Sequence, residues 1–194
     1  MDRQKRSLRR LFRLIIYPSL VVAGLFFYTT GDIEAAMENH FLYFPEKEVY
    51  MTPTNVRLPF EEVAFTAADG TDLHGWYIPG STDRPVVLFF HGNAGNISHR
   101  VDNLLGFNRQ GHSVFIFDYR GYGQSAGVPS EPGLYNDARG ALDWLKKRQG
   151  IPRQYVFFGR SLGAAVALQL AIEEPPLALI MESPFTSVAG MGRK

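Results

Sequence analysis

A serine flanked by glycines stands where an apolar stretch gives way to a run of small residues. The stretch is YVFFGRSLGAAVALQL, residues 155–170, and Ser161 lies at the centre of its GRSLG pentapeptide. A G-x-S-x-G pattern between a strand and a helix is typical of a nucleophilic serine on a sharp, strained turn. Such a serine attacks an acyl carbonyl and forms a covalent acyl-enzyme. The pattern is short, so its meaning depends on the surrounding elements.

Each residue of this turn has a predicted role. We expect Ser161 to be the nucleophile, and Gly159 and Gly163 to let the strand and the helix cross closely. The backbone N–H of Leu162, at the start of the helix, would then point toward an oxygen held near the serine. The alternative is that Ser161 is only the N-cap of a core helix. Because an N-cap needs neither flanking glycine, we favour the nucleophile.

The loop HGNAGN, residues 91–96, follows an apolar stretch and could supply the second donor of an oxyanion hole. We predict that Asn93 is this donor. His91 could be a general base, but its position at the end of a strand predicts a structural role that holds the loop. The other histidines have no metal-ligand spacing and are expected on the surface or in loops, namely His40, His74, His99 and His112.

A third loop, RGYGQSA at residues 120–126, satisfies the G-x-G-x-x-A pattern of dinucleotide-binding proteins. In those proteins the pattern opens a helix whose N-terminus receives the pyrophosphate. Here the chain continues with GVPSEPG, and helical periodicity begins only near Glu131. We therefore expect no dinucleotide and no other cofactor, and we predict that Asp118 and Arg120 brace this loop.

Alternating strand and helix patterns surround the three loops. Four continuous apolar stretches, RPVVLFFHG, HSVFIFD, QYVFFG and PLALIMES, predict parallel strands buried on both faces. Helices are expected at residues 98–110, over EPGLYNDARGALDWLKKRQG with a stop at Gly150, and after Ser161. A β-hairpin that turns at residues 68–70 is expected before them. This order predicts an α/β fold, with the three loops at the carboxyl ends of the strands.

Charge is concentrated at the N-terminus of this 194-residue chain. The sequence has 20 basic and 19 acidic residues, and residues 1–13 hold six of the basic ones and one acid. The other 14 basic and 18 acidic residues give the remainder a net charge of −4, which argues against nucleic-acid binding. The absence of cysteine excludes disulfides, cysteine-ligated zinc and thiol catalysis.

Residues 14–31, LIIYPSLVVAGLFFYTTG, carry no charge and are predicted to form a transmembrane anchor. A helix of this length would span roughly 27 Å, close to the hydrocarbon core of a bilayer. The basic residues 1–13 would stay in the cytoplasm, and residues 32–194 would face the periplasm or the exterior. A cleaved signal peptide is a competing interpretation, although Glu34 is unfavourable at the position it would take before a cleavage site at Ala36. RRLF also faintly resembles a twin-arginine signal.

Four segments together resemble the α/β-hydrolases of the serine-hydrolase superfamily: FFHGNAGN, DYRGYGQSAGVPSEPGLYNDA, GRSLGAAVALQLA and MESPFTS. They are particularly similar to the membrane-anchored group related to serine aminopeptidases and lysophospholipase-like enzymes. The resemblance implies Ser161 as nucleophile, the N–H groups of Asn93 and Leu162 as oxyanion hole, and a small-molecule or lipid acyl substrate. The predicted organisation is a basic tail (1–13), an anchor (14–31), a linker (32–59) and an α/β-hydrolase domain (60–194).

The family's order of nucleophile, acid and histidine is not completed in this sequence. No histidine follows Ser161, and the chain ends at Lys194 shortly after LALIMES. Glu182 could be the acid, but with no histidine to orient we expect it to be structural. We therefore expect an incomplete and inactive hydrolase fold whose last strand is an aggregation-prone edge. The alternative function is a non-catalytic relative that uses the fold for binding or scaffolding.

Overall fold

The computed structural model describes residues 43–148 and 154–184. The predicted anchor at residues 14–31 lies outside these ranges, and within them no helix is long and apolar enough to cross a membrane. The strands are β1 (Phe44–Pro45), β2 (Glu61–Thr66), β3 (Asp72–Ile78), β4 (Val86–Phe90), β5 (Ala94–Gly95), β6 (Val114–Phe117), β7 (Tyr155–Arg160) and β8 (Ala178–Glu182). The α-helices are α1 (Val101–Arg109), α2 (Glu131–Lys147) and α3 (Leu162–Glu173), and short 3₁₀-helices span Pro53–Val56 and Ile97–Arg100.

The main sheet has six strands in the order β2–β3–β6–β4–β7–β8. Strands β2 and β3 form an antiparallel hairpin, and β3 is antiparallel to β6. Strands β6, β4, β7 and β8 are parallel to one another. Parallel neighbours need crossover connections, which α1, α2 and α3 supply. The predicted hairpin and the parallel direction of the four predicted strands are confirmed. The expectation that all four are buried on both faces is wrong for β7 and β8, because among the described residues no further strand lies beyond β8.

Strands β4 and β6 are apolar along their whole length because helices and loops cover both of their faces. Every residue of β4 and β6 is buried. Aromatic rings fill the space beside them: Phe89 meets Phe158 at 4.8 Å between ring centroids, and Phe115 meets Trp144 of α2 at 4.5 Å. One face of α2 is buried against the sheet, and its apolar residues are Leu134, Ala138, Leu142 and Leu145.

The helix ends differ from the sequence-based bounds by a few residues. The first helix begins as a 3₁₀ turn at Ile97–Arg100 before α1 proper. Helix α2 begins after Ser130, whose hydroxyl oxygen accepts the N–H of Gly133 at 3.3 Å. It ends at Lys147, before the expected stop at Gly150, which lies outside the described residues. Local caps therefore set these bounds more closely than the hydrophobic pattern does.

Residues 43–59, expected in the linker, are bonded to the domain, and the folded unit begins at Tyr43. Strand β1 pairs with β5, which lies in the loop that follows β4. The Asn96 side-chain amide donates to the carbonyl oxygens of Glu46 and Glu48 at 3.1 and 2.6 Å. The Lys47 ammonium donates to the carbonyl oxygen of Ser125 at 2.9 Å. These bonds fix residues 43–59 to the domain, beside the loop that follows β4.

Among the described residues, β8 is the last strand of the sheet and pairs only with β7. No described strand pairs with its outer edge, and the side chains of Ile180 and Met181 are exposed. Natural edge strands carry charges, prolines or bulges that prevent pairing with another chain. Strand β8 carries its first charge only at Glu182, its last residue. Within residues 43–148 and 154–184, β8 is thus an apolar strand with one neighbour, and its role as an aggregation-prone edge stays a prediction.

A lysine on this edge is expected to reduce self-association of the chain. Ile180→Lys places a charge on β8, where Ile180 is 47% exposed, and should raise the monomer fraction severalfold in size-exclusion chromatography. The matched control is Val128→Lys, because Val128 is 72% exposed in a loop. An equal gain from both variants would show that added charge, rather than the strand edge, is responsible.

Candidate active site

Ser161 has the backbone of a strained turn. It lies between β7 and α3 with φ 51° and ψ −116°, a conformation that residues with a Cβ rarely adopt. It occupies the N-cap position of α3, but its side chain makes no capping hydrogen bond. An ordinary N-cap serine has an extended backbone and accepts an N–H from the first turn. The geometry therefore opposes the N-cap alternative.

Backbone hydrogen bonds hold Ser161 in this conformation. Its N–H donates to the carbonyl oxygen of Glu182 at 2.9 Å, and its carbonyl oxygen accepts the N–H of Ala164 at 2.9 Å. The Glu182 carboxylate lies 3.6 Å from Nε of Arg160, with both side chains partly exposed. Glu182 thus contacts the Ser161 turn through its backbone carbonyl group and Arg160 through its side chain. These contacts fit the structural role expected of it.

Gly159 and Gly163 stand where β7, α3 and β4 approach most closely. A Cβ on Gly159 would lie 2.5 Å from the carbonyl oxygen of Gly163 and 2.6 Å from Cα of Ala164. A Cβ on Gly163 would overlap the carbonyl oxygens of Phe90 and His91. Both contacts are with backbone, which cannot move aside as a flexible side chain would. The structure therefore places the two glycines where the sequence analysis required them.

The loop after β4 lies beside Ser161. A Cβ built on Gly92 would be 3.7 Å from Cβ of Ser161, so the two backbones are neighbours. Asn93 follows, and its side-chain oxygen accepts the Tyr122 hydroxyl at 2.8 Å and the Phe44 N–H at 3.3 Å. Leu162 opens α3 on the other side of the serine. The structure thus brings the predicted donor residues to the predicted nucleophile, and their roles remain predictions.

His91 is fully buried beneath this loop. Its Nδ1 lies 2.8 Å from the carbonyl oxygen of Gly92, and its ring packs against Tyr119 at 4.5 Å between centroids. Burial lowers the pKa of His91 to about 3, so the imidazole is neutral near pH 7. A neutral, buried imidazole bonded to its own loop is a poor general base. The predicted structural role fits this environment.

Asp118 follows β6 and contacts two loops. Its carbonyl oxygen accepts the Ser125 hydroxyl at 2.7 Å, within the loop at residues 120–126 that it was predicted to brace, and its carboxylate contacts the loop after β4. Its Oδ1 accepts the N–H of Ile97 at 2.9 Å and lies 3.8 Å from Nε2 of His91. Burial raises the pKa of Asp118 to about 7. His74 of β3 approaches the other carboxylate oxygen at 4.0 Å. The expectation that His74 lies on the surface or in a loop is wrong, because β3 is covered on both faces from Leu73 to Ile78.

Arg120 braces the third loop through two carboxylates. Its guanidinium lies 2.7 Å from Asp137 of α2 and 2.9 Å from Asp69 of the hairpin turn. Asp137 is fully buried, and sequence reasoning did not single it out. No helix begins between this loop and Glu131, so no helix N-terminus is available for a pyrophosphate. The arrangement is that of a structural loop.

The remaining histidines stand apart from one another. His99 lies in the 3₁₀ turn before α1, 3.7 Å from the Glu46 carboxylate. His112 lies in the loop before β6, with Nδ1 3.0 Å from the carbonyl oxygen of Pro85. His40 is outside the described residues. Across residues 43–148 and 154–184, no group of three or more histidines and carboxylates is arranged to hold a metal ion.

The sheet order, the strained serine between β7 and α3 and the glycine-bearing loop after β4 together define the α/β-hydrolase fold. Residues 81–192 match the family described as serine aminopeptidase, S33, and the chain belongs to this family. The match contains all three loops at the carboxyl ends of the strands. The superfamily resemblance seen in the sequence is therefore confirmed.

Known relatives share the sequence over most of its length. The chain is 38% identical to an uncharacterized protein of Mycobacterium tuberculosis, over 94% of this chain and 64% of that protein. It is 43% identical over 133 residues to the lysophosphatidylserine lipase ABHD12 of Xenopus tropicalis, covering 65% of this chain and 34% of the lipase. The Pyrococcus furiosus esterase Pf2001 has a similar structure, with a TM-score of 0.67, 25% identity, and coverage of 78% of this chain and 59% of the esterase. The chain thus spans less than two thirds of the length of each of these proteins.

Gly163→Ala should destabilise the domain by about 3 kcal/mol, because the new methyl group overlaps backbone oxygens of β4 and the following loop. Urea denaturation measures this free energy of unfolding. Gly106→Ala in α1 is the matched control, because no atom lies within 4 Å of a Cβ at that position. The control should stabilise the domain by about 0.5–1 kcal/mol through helix propensity. Equal effects would contradict the close crossing of α3 and β4.

Asp118→Asn should change the pH dependence of stability. The pKa of Asp118 is about 7 in the folded protein and near 4 when unfolded, so the folded state holds the proton to higher pH. The stability that this proton confers is present below about pH 4 and is lost as the pH rises through about 7. Asn keeps an oxygen for the Ile97 N–H but does not titrate. Relative to wild type, the variant should therefore gain on the order of 2–4 kcal/mol between about pH 4 and pH 8 in urea denaturation. A constant difference would mean that Asp118 titrates normally.

Proposed function

We propose that this protein is a serine hydrolase that attacks acyl compounds through Ser161. The observation that supports this proposal most directly is the positive φ of Ser161, together with a Ser161 side chain that does not cap α3. Strain of this kind is concentrated at functional sites, and the nucleophile elbow is a known instance. Membership of the serine aminopeptidase family supports the same chemistry.

The proposed mechanism uses the two loops beside the serine. The Ser161 hydroxyl attacks the acyl carbonyl, and its proton passes to a general base. The N–H groups of Asn93 and Leu162 stabilise the resulting oxyanion. Collapse of the tetrahedral intermediate expels the alcohol, amine or thiol and leaves an acyl-enzyme, which water then hydrolyses. The α3 N-terminus adds a favourable dipole on the side of Leu162.

No general base is assembled among the described residues. His91 and His74 are buried, and burial lowers the pKa of both imidazoles. No histidine follows Ser161 in the 194-residue sequence, where the family's order places one. We therefore propose that this chain alone reacts slowly, with the residual catalysis of an oxyanion hole and substrate binding. In well-studied triads that residual is on the order of 10³–10⁴ over water.

The proposed substrate is an ester of a lipid or small molecule, with thioesters and peptides as other members of the acyl class. Two relatives support an ester: one is named a lysophosphatidylserine lipase and the other an esterase. We also propose that residues 14–31 anchor the protein in the cell membrane, with the basic residues 1–13 in the cytoplasm and the hydrolase domain outside it. The uncharged run and its basic flank support this topology.

A fluorophosphonate probe tests the nucleophile directly. The expected result is slow formation of one covalent adduct, located at Ser161 by peptide mass spectrometry and absent from Ser161→Ala. Ser183→Ala is the matched control, because Ser183 also has a positive φ, 50°, but lacks flanking glycines. The control should label at the wild-type rate. Lack of any Ser161 adduct would favour the non-catalytic binding module, and rapid turnover would show a base that this geometry does not identify.

A further inference from the structure

Three large apolar side chains are exposed on one short segment of the domain. They are Phe44, Tyr50 and Met51, with 58%, 60% and 37% of their surface exposed. We call these three residues the 44–51 patch. They lie close together in the sequence, on a segment that is bonded to the domain, and clusters of exposed apolar side chains mark interaction sites. The patch contains two aromatic residues, the side-chain class enriched where proteins meet the membrane interface.

The backbone of this segment is fixed to the domain. Phe44 lies in β1 and pairs with Ala94 of β5. The Tyr50 N–H donates to the Ser98 hydroxyl at 3.3 Å, and the Tyr50 ring packs edge-on against His99 at 5.3 Å between centroids. Since the surrounding backbone is already ordered, binding through the patch costs little additional conformational entropy.

The patch lies beside the loop that we assign to the oxyanion hole. The Phe44 N–H donates to the side-chain oxygen of Asn93 at 3.3 Å, and β1 runs alongside the two residues that follow Asn93. Gly92, the residue before Asn93, is the backbone neighbour of Ser161. The exposed Phe44 ring is therefore separated from the proposed nucleophile by one short loop.

The chain that precedes the 44–51 patch limits how far the patch can lie from the proposed anchor. Residues 32–42 are the eleven residues between the proposed anchor and the start of the folded unit at Tyr43. Even fully extended, a connection of this length reaches only about 40 Å. A tether of this kind holds the patch at an effective concentration in the millimolar range near the bilayer. A small apolar surface that would not bind a membrane alone is sufficient as a second contact.

We propose that the 44–51 patch docks on the lipid bilayer, so that the Ser161 site opens toward the membrane surface. This rests on the proposed membrane anchor and on the proposed acyl hydrolase. The contact is interfacial rather than deep, because the Tyr50 hydroxyl lies close to the carboxylates of Glu46 and Glu48. Glu46, Lys47 and Glu48 together carry a net charge of −1, so anionic lipid is not required. An acyl chain could then reach Ser161 from the bilayer without crossing bulk water. A lipid-phase substrate for the site follows from this proposal.

Site-directed spin labelling tests the docking, and the cysteine-free sequence allows single labels without background. The full chain is reconstituted into phosphatidylcholine vesicles as Phe44→Cys, Tyr50→Cys, Ile172→Cys and Val22→Cys. Ile172 is the matched control, because it is an exposed apolar residue on α3. Val22 reports whether the anchor is inserted. Power saturation with oxygen and with a water-soluble nickel chelate measures whether each label is in lipid or in water.

The expected result is higher oxygen than nickel accessibility at positions 44, 50 and 22, and the reverse at position 172. Aqueous labels at 44 and 50 with an embedded label at 22 would overturn the docking alone. An aqueous label at 22 would overturn the anchor and the docking together. Shielding of 44 and 50 from both reagents would mean a protein partner, and dependence on added phosphatidylglycerol would mean charge-driven binding; either overturns the proposal. Repeating the labels in Ser161→Ala separates docking from chemistry, since the depths should not change.

Discussion

The contact between the start of α3 and the end of β4 determines the geometry of the whole site. Gly163 lies against the carbonyl oxygens of Phe90 and His91, at a distance that leaves no room for a side chain. This contact brings the Ser161 turn next to the loop that follows β4. If the helix moved outward by the width of a methyl group, the serine and that loop would separate. The positive φ of Ser161 is tolerated because the backbone on both sides of the turn is already held in place by other contacts.

Behind the loop lies a group of buried ionisable side chains whose hydrogen bonding is incomplete. Nε2 of His91, Oδ2 of Asp118 and both ring nitrogens of His74 are buried without a hydrogen-bond partner. Such groups lower stability, and natural proteins retain them mainly near functional sites. Here they surround the carboxylate that fixes the Ile97 N–H, and so they support the loop from within. These buried groups therefore hold the loop in position at a cost to the stability of the fold.

Local patterns in the sequence were sufficient for the strands, the helices and the turn, because each has a periodicity or a set of glycines of its own. They were insufficient where the outcome depends on tertiary contacts. The two-residue strand β1 includes Pro45, which predicts no strand, and it exists because β5 lies alongside it. His74 was misplaced because the covering of β3 on both faces is not visible in a hairpin pattern. The bond from Ser161 to Glu182 uses a backbone carbonyl, which has no sequence signal at all.

That last bond makes the backbone conformation of Ser161 depend on the order in which the chain is synthesised. The turn at Ser161 receives its stabilising acceptor only when β8 has paired with β7. At translation rates of about 5–20 residues per second, the roughly twenty residues from Ser161 to Glu182 take on the order of seconds to emerge. Until then the Glu182 carbonyl oxygen cannot accept the Ser161 N–H, and this bond cannot hold the serine backbone at its strained φ. The nascent polypeptide therefore carries Ser161 in an ordinary backbone conformation through early synthesis, and the positive-φ turn is stabilised only after β8 has paired with β7.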